Sequence, residues 1–501
     1  MVNLNSKIKA LSDKLVCKAE ALTIRRKDTT QSVRPILAAP SIDIVKCFDA
    51  AVHNITDINT VPCIHRIYNG TGLLRHQYMI RAGKNYNTPW TRDAAINTWQ
   101  ALRFINPDVA RTTLLAVCMR GESGQPIIQP DSQVWDQIIW VIGAWNYYLA
   151  TKDEEFLKTA HGITERALES LRKSRFNDEY ELFRGGSFFN DGISGYPLEC
   201  HTPNLKDSFA PSHKAVEEIM CLSTNCLYCE AYRIFGEMCD AFGKTDDAEA
   251  ARRYHRELKS TINKVFYSDE LGRYRYILFP DGHTDDSQEL SGHAFAVLFD
   301  ICPEEKRAQM LESLIASDYG TVSVRPPFKG LYSTDKPGRH NNIIWPFLNG
   351  ILIQAAAKCK LENKVESELM NISGLFKGSK LELYEIYSAT DGKANGGWQT
   401  GRLWDSCRDQ TWSATCYVGA FVHGVFGIDV RKNEIHFSPC VPEAMIDCSV
   451  SNLNIRGMKL NVKIKGYGSQ IKSFTVDGRA DSPVLFPDNK PHSIEISMEK
   501  I

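Results

Sequence analysis

The chain has 501 residues, with 59 Lys+Arg against 60 Asp+Glu, a formal charge of −1 and an apolar fraction of 43%. That length allows a large core or two unequal domains. The near-zero charge supplies no phosphate-attracting field, which disfavours nucleic acid and anionic membrane as partners and fits a neutral, uncharged ligand. The 9 Trp, 19 Tyr and 22 Phe serve a core and also stacking on the apolar faces of ligands.

No apolar run reaches the ~18 residues of a membrane span, and the first residues form a basic amphipathic segment without a signal-peptide core. A cytoplasmic protein is expected, with secretion open if a leader was removed. The 15 cysteines are scattered from Cys17 to Cys448 and form no disulfide-scaffold pattern. N-glycosylation tripeptides at Asn54, Asn69 and Asn371 keep the secreted alternative in view. Cys226 and Cys229 have redox or zinc spacing, but no second pair follows, so core packing is expected there and no metal or cofactor.

Taken in chain order, residues 1–42 hold one helix and a Pro-containing linker, and residues 43–426 carry apolar residues at three- and four-residue intervals. Candidate helices begin near Asp43, Arg92, Pro107, Asp131, Glu154, His213, Asp246, Gln288, Glu304, Asn341, Lys364 and Gln410. Short polar links at Thr151–Glu155 and Gly243–Asp247 join long helices, as antiparallel hairpins require. Six such hairpins close into a ring whose loops gather as a pocket, predicting a mainly α, (α/α)6 barrel. A helical solenoid would need a regular repeat, and none is present. From residue 427 to 501 apolar and polar residues alternate between Gly, Asp and Asn turns, which predicts a small antiparallel β module.

Several segments combine aromatic residues with acids and arginines. In Asn87-Thr-Pro-Trp-Thr-Arg-Asp-Ala-Ala95, Trp90 would stack on a sugar while Arg92 and Asp93 fork hydrogen bonds to vicinal hydroxyls. Asp93 is also where a helix-capping carboxylate would sit. In Gly185-Gly-Ser-Phe-Phe-Asn-Asp-Gly-Ile-Ser-Gly-Tyr-Pro197, an acid among Phe188, Phe189 and Tyr196 would be desolvated and held protonated as a general acid. Asp191 is that acid, with Glu181 and Glu199 as alternatives. Glu385, flanked by tyrosines, supplies the second, distant carboxylate of a glycosidase pair. Further substrate-binding candidates are Trp135 and Asp136 near a helix start, Arg339, His340 and Trp345 before another, Trp398 in a Gly-rich loop, and Trp412.

Thr88-Pro-Trp-Thr-Arg-Asp-Ala94, Glu385-Ile-Tyr-(x4)-Gly392 and Arg408-Asp-Gln-Thr-Trp-Ser-Ala414, in this order, resemble segments of glucoamylases and their inverting relatives. Those relatives include glycogen-debranching glucosidases, trehalases and processing α-glucosidases, and Ser187–Tyr196 resembles the debranching-type bacterial members. The resemblance implies an (α/α)6 barrel, hydrolysis of α-glucosidic bonds with inversion, and no metal. It also implies a terminal-sugar subsite of Trp90, Arg92 and Asp93, with Glu385 as base and Asp191 as acid. The stretch Asn395–Arg402 lengthens the loop after Glu385 relative to that pattern, which would alter the sugar accepted.

The expected protein is an exo-acting inverting glycoside hydrolase for neutral α-glucosides or glucooligosaccharides, a monomer or homodimer. An inverting pair should stand about 6.5–9.5 Å apart. The alternatives are a glycoside phosphorylase, a non-catalytic carbohydrate-binding protein, and a lyase or epimerase of sugar acids.

Overall fold

The computed structural model describes residues 33–129, 134–187, 196, 213–328, 338–399 and 402–499. Its helices α1 to α6 are Ile42–His53, Thr91–Asn97, Pro107–Ala116, Val134–Thr151, Glu154–Arg175 and Leu222–Ala241. Helices α7 to α12 are Thr245–Phe266, Leu290–Leu298, Glu304–Glu312, Pro346–Lys358, Glu362–Gly378 and Thr411–Gly419. Helices α2 and α12 each run on into a π turn, Thr98–Leu102 and Ala420–Val425.

The helix starts follow from local chemistry. Ser41 caps α1 and Asp153 caps α5, each accepting from a backbone N–H of the first turn, and Asn106 caps α3 just ahead of Pro107. The helix expected near His213 is a short 3-10 turn, Lys214–Glu217. The strand Met220–Cys221 pairs with Ile277–Leu278 before α6 begins at Leu222.

The even-numbered helices touch in cyclic order: α2 meets α4, α4 meets α6, and so on through α8, α10 and α12, which closes back on α2. This inner ring is buried all round; in α10 every residue from Pro346 to Ala357 is buried. The odd-numbered helices lie outside, and α7 buries one stripe, with Ala248, Ala251, Leu258, Ile262 and Phe266 facing inward. Inner helices approach closely at glycine. A Cβ on Gly143 of α4 would lie 2.7 Å from the Ala95 Cα of α2, and one on Gly350 of α10 would lie 2.6 Å from the Cys416 carbonyl of α12. Polar bonds also cross the ring: Gln354 donates to Gln100 at 2.5 Å and Thr415 to Asn97 at 2.7 Å.

Link lengths orient the ring. From an inner to the following outer helix the chain turns tightly, as at Lys152–Asp153, Phe242–Lys244 and Cys359–Leu361. From outer to inner the connections are long, as at 54–90, 176–221, 313–345 and 379–410. All the long connections therefore collect at the end of the barrel where the inner helices begin. The mouth is built there.

The β module occupies the other end. Its strands are β1 (Ile36–Ala38), β2 (Ile428–Val430), β3 (Ile435–Phe437), β4 (Ser449–Ile455), β5 (Met458–Lys465), β6 (Gln470–Val476), β7 (Arg479–Ala480), β8 (Val484–Leu485) and β9 (His492–Glu499). They form a six-stranded sheet ordered β1-β4-β5-β9-β6-β7 and a three-stranded sheet β2-β3-β8. Leu460, Val462 and Ile464 of β5 alternate into the core opposite Ile494 and Ile496 of β9. Arg456 joins the module to the last turn of α4, its amide bonding to the Ala150 carbonyl at 2.7 Å and its Nε to that of Leu149 at 2.9 Å.

Two expectations are corrected. The main sheet is mixed, because β5 and β9 pair in parallel with Val462 opposite Ile494. The segment before residue 43 does not consist of helix and linker alone, since Ile36–Ala38 is an edge strand on β4. Alternation identifies strands but does not say which ones pair, and β5 and β9 are brought together by packing.

The 13 described cysteines are free thiols, with Cys226 and Cys229 fully buried in α6. Asn54 is buried and accepts a hydrogen bond from Asn59, so that glycosylation tripeptide is part of the core. No described helix is long and apolar enough to cross a membrane.

Candidate active site

The first turns of the inner helices bring most of the candidate residues to the mouth. Arg92 and Asp93 lie in the first turn of α2 and Asp136 in that of α4, with Arg92 Nε 3.8 Å from Asp136 Oδ1. Gln410, at the start of α12, donates from Nε2 to Asp93 Oδ1 at 3.1 Å. The Arg92 guanidinium stands 5.7 Å from the Trp412 ring, which stacks on Phe347 at 4.4 Å and meets Trp345 edge-on at 5.6 Å. His340 stacks on Trp345 at 4.4 Å. An aromatic wall thus runs from α10 to α12 beside the acids of α2 and α4.

Glu385 is buried and held from both sides. Arg339 Nη2 lies 3.0 and 3.1 Å from its two carboxylate oxygens, and its amide bonds to the Cys407 carbonyl at 2.8 Å. Arg339 is fixed in turn by the Gly396 carbonyl, which accepts from Nη1 at 2.9 Å. Gly397, at φ 75°, allows this contact; a Cβ there would lie 2.6 Å from the Arg339 backbone. Trp398 belongs to the same loop, its carbonyl accepting from the Arg339 amide at 3.1 Å. The Gly-rich stretch after Glu385 is therefore the backing of the Arg339–Glu385 pair.

These groups feel one another's charge. Asp93 is pushed well above the ordinary carboxylate range by burial, opposed by Arg92 and reinforced by Glu385 and Asp136. The Tyr86 hydroxyl is pushed up chiefly by the charge of Glu385 and then by burial. Burial pushes the Cys407 thiol up to about 12, with Glu385 and Asp93 adding to it, so this cysteine is an unreactive neighbour. Trp90 stands at the rim, 44% exposed and edge-on to Tyr86 at 6.4 Å.

Trp135 precedes Asp136 at the start of α4 and, like Trp345 and Trp412, is buried. Other candidates fall elsewhere. Tyr196 is buried in a separate cluster with Val216, Tyr276 and Phe328, where its hydroxyl accepts from the Ser187 amide at 2.7 Å. Glu181 is exposed near Thr261 of α7, far along the chain from Glu385. Asp191 and Glu199 lie outside the described residues, as does the carboxyl separation expected of an inverting pair.

Sequence reasoning passed over Tyr86, Cys407 and Glu289. The first two adjoin motifs already singled out. Glu289 carries no motif, yet it is fully buried just before α8 and accepts from the Ser223 amide at 3.0 Å and the Ser291 hydroxyl at 3.2 Å. The hydroxyls of Ser187 and Ser223 bond to it as well. Burial lifts its carboxyl to about 7 against the pull of these donors.

Residues 85–324 match the family model of the bacterial alpha-L-rhamnosidase 6 hairpin glycosidase domain. The chain carries a six-hairpin glycosidase domain. The (α/α)6 barrel described above is the architecture of that domain, and solved structures share the fold. A structure described as a sialidase has TM-score 0.65 at 13% identity, covering 87% of this chain and 39% of its own. A GH78 family rhamnosidase of a Bacillus species has TM-score 0.56 at 14% identity, covering 94% and 44%. The GH63 mannosylglycerate hydrolase from Thermus thermophilus has TM-score 0.51 at 13% identity, covering 74% and 98%. The six-hairpin chain thus spans 39% and 44% of the first two structures. No curated protein sequence matches it.

Proposed function

We propose that this six-hairpin domain is an exo-acting inverting glycoside hydrolase of α-linked glycosides, with Glu385 as general base and Asp191 as general acid. The observation that carries the reading is the buried Arg339–Glu385 pair at the barrel mouth, within electrostatic reach of Asp93 at the start of α2. Arg339 fixes the orientation of the Glu385 carboxyl through hydrogen bonds to both oxygens, each of which retains a lone pair for water. Water attacks the anomeric carbon as its proton passes to Glu385. The glycosidic bond breaks as Asp191 gives its proton to the leaving oxygen, and the anomer inverts.

Arg92, Asp93 and Asp136 would grip the hydroxyls of the terminal sugar, with Trp345, Trp412 and His340 behind it and Trp90 at the rim. Buried planar donors and acceptors beside aromatic faces suit a neutral sugar. Trp398, through its backbone hold on Arg339, would act on the base rather than on the sugar. α-L-Rhamnosides are the first substrates to test, on the strength of the family match over residues 85–324, with α-glucosides second on the motif resemblance.

The test is a screen of aryl α-glycosides and α-linked disaccharides with Glu385→Gln as blank, the released anomer being read by NMR. Released sugar of inverted configuration, absent with the variant, supports the reading. Equal activity of wild type and variant refutes the role of Glu385, and a sugar phosphate formed only with added phosphate replaces hydrolysis with phosphorolysis.

A further inference from the structure

A second concavity lies behind the mouth, between α11 and the segment that carries Glu385. It is a groove of about 750 Å³, walled by Tyr319 and Tyr384 and floored by the exposed helical turn of Gly374 and Gly378. Two observations mark it as more than a surface irregularity. The Tyr319 ring is seated directly against Gly392, where an added Cβ would fall 2.5 Å from the ring, so the aromatic wall is built on a glycine. At Gly374 and Gly378 a Cβ would meet nothing within 4 Å, so the helix floor is open.

The chemistry of the lining favours one ligand class. Asp318, Glu382 and Asp391 are offset by Lys380 and Lys393, and Glu382 is also paired with Arg408 at 2.6 Å. The rim is close to neutral, so it gives no field for a polyanion or a polycation. Two tyrosines and planar polar groups, including Asn371, around a glycine floor give stacking faces and short-range hydrogen bonds without net charge. Those are the contacts of a neutral oligosaccharide. The groove is also back to back with the candidate base, for Tyr384 lines it while the adjoining Glu385 pairs with Arg339. Ser413 of α12 holds the Tyr384 carbonyl at 3.0 Å.

We propose that this groove is a second binding site, for a neutral oligosaccharide, distinct from the mouth. The choice of sugar as ligand rests in part on the glycosidase reading above; the cavity and its lining do not.

The experiment is isothermal titration of the full chain carrying Glu385→Gln, which stops turnover, with neutral gluco-, manno- and rhamno-oligosaccharides and a sulfated oligosaccharide as charged control. Gly374→Trp fills the groove from an open position, and Tyr319→Ala removes its wall without adding bulk. Two sugars per chain, reduced to one by Gly374→Trp and weakened at one site about tenfold or more by Tyr319→Ala, support the proposal. Unchanged hydrolysis of a small aryl glycoside by both variants in the otherwise wild-type chain places the loss outside the mouth. A stoichiometry that neither variant alters overturns the groove site and leaves the hydrolase reading intact. Preferential binding of the sulfated control overturns the ligand class. Groove binding without hydrolysis of any glycoside overturns the hydrolase reading and keeps the groove.

Discussion

Glu289 offers a sharp test of how the barrel mouth is held together. Its carboxyl joins the starts of α6 and α8 to Ser187 and is lifted by burial from the ordinary 4.5 to about 7. Between those values the folded chain binds a proton that the unfolded chain does not, so stability falls as pH rises. The full difference corresponds to roughly 3 kcal/mol. Most of it falls between pH 5 and 8.5, roughly 2–3 kcal/mol. Glu289→Gln keeps the shape and most of the hydrogen-bonding capacity but cannot ionise. Urea denaturation of both proteins at a series of pH values should show wild type losing roughly 2–3 kcal/mol relative to the variant from pH 5 to 8.5. If the two stability curves run parallel, Glu289 does not change its protonation in this interval and the burial cost assigned to it is wrong.

Glu385→Gln should lower turnover of any cleaved glycoside by at least ~10²-fold while the fold, followed by circular dichroism, is kept. Arg339→Met leaves a buried carboxylate without its cation, a loss of about 3–5 kcal/mol in denaturation experiments. In whatever folds, turnover should fall about tenfold or more, and an unchanged rate would show that Arg339 does not position Glu385. Gly143→Val forces a side chain into the Ala95 backbone of α2, and thermal unfolding should register a loss of about 1–3 kcal/mol or more; an unchanged midpoint would deny the close approach of α2 and α4.

The helical pattern was legible because its cause is local. Ser41, Asn106 and Asp153 cap the helices whose starts were expected near Asp43, Pro107 and Glu154, and Pro107 opens α3. Eleven of the twelve expected starts fall within about five residues of a helix start; the exception is His213, where a strand intervenes before Leu222. The motifs around Arg92, Asp93, Glu385 and Trp412 were legible as well, since acids and arginines next to aromatic residues are not what a core requires. Less legible were the uses of those residues. Tyr196 reads as a sugar-facing ring beside Asp191, yet it closes a buried contact with Ser187, a choice made by Val216, Tyr276 and Phe328 from other elements.

Sequence alone determined the short polar links between long helices, and with them a ring of paired helices, because periodicity and turn chemistry act over a few residues. Only the tertiary structure decided that all the long links share one end with the inner helix starts and that the β module docks at the other. It alone set the parallel pairing of β5 with β9, the hold of Arg339 on Glu385, and the burial of Glu289 among three serines. Each of those joins residues distant in the chain. Their energies depend on desolvation and on geometry between elements, which no local window contains.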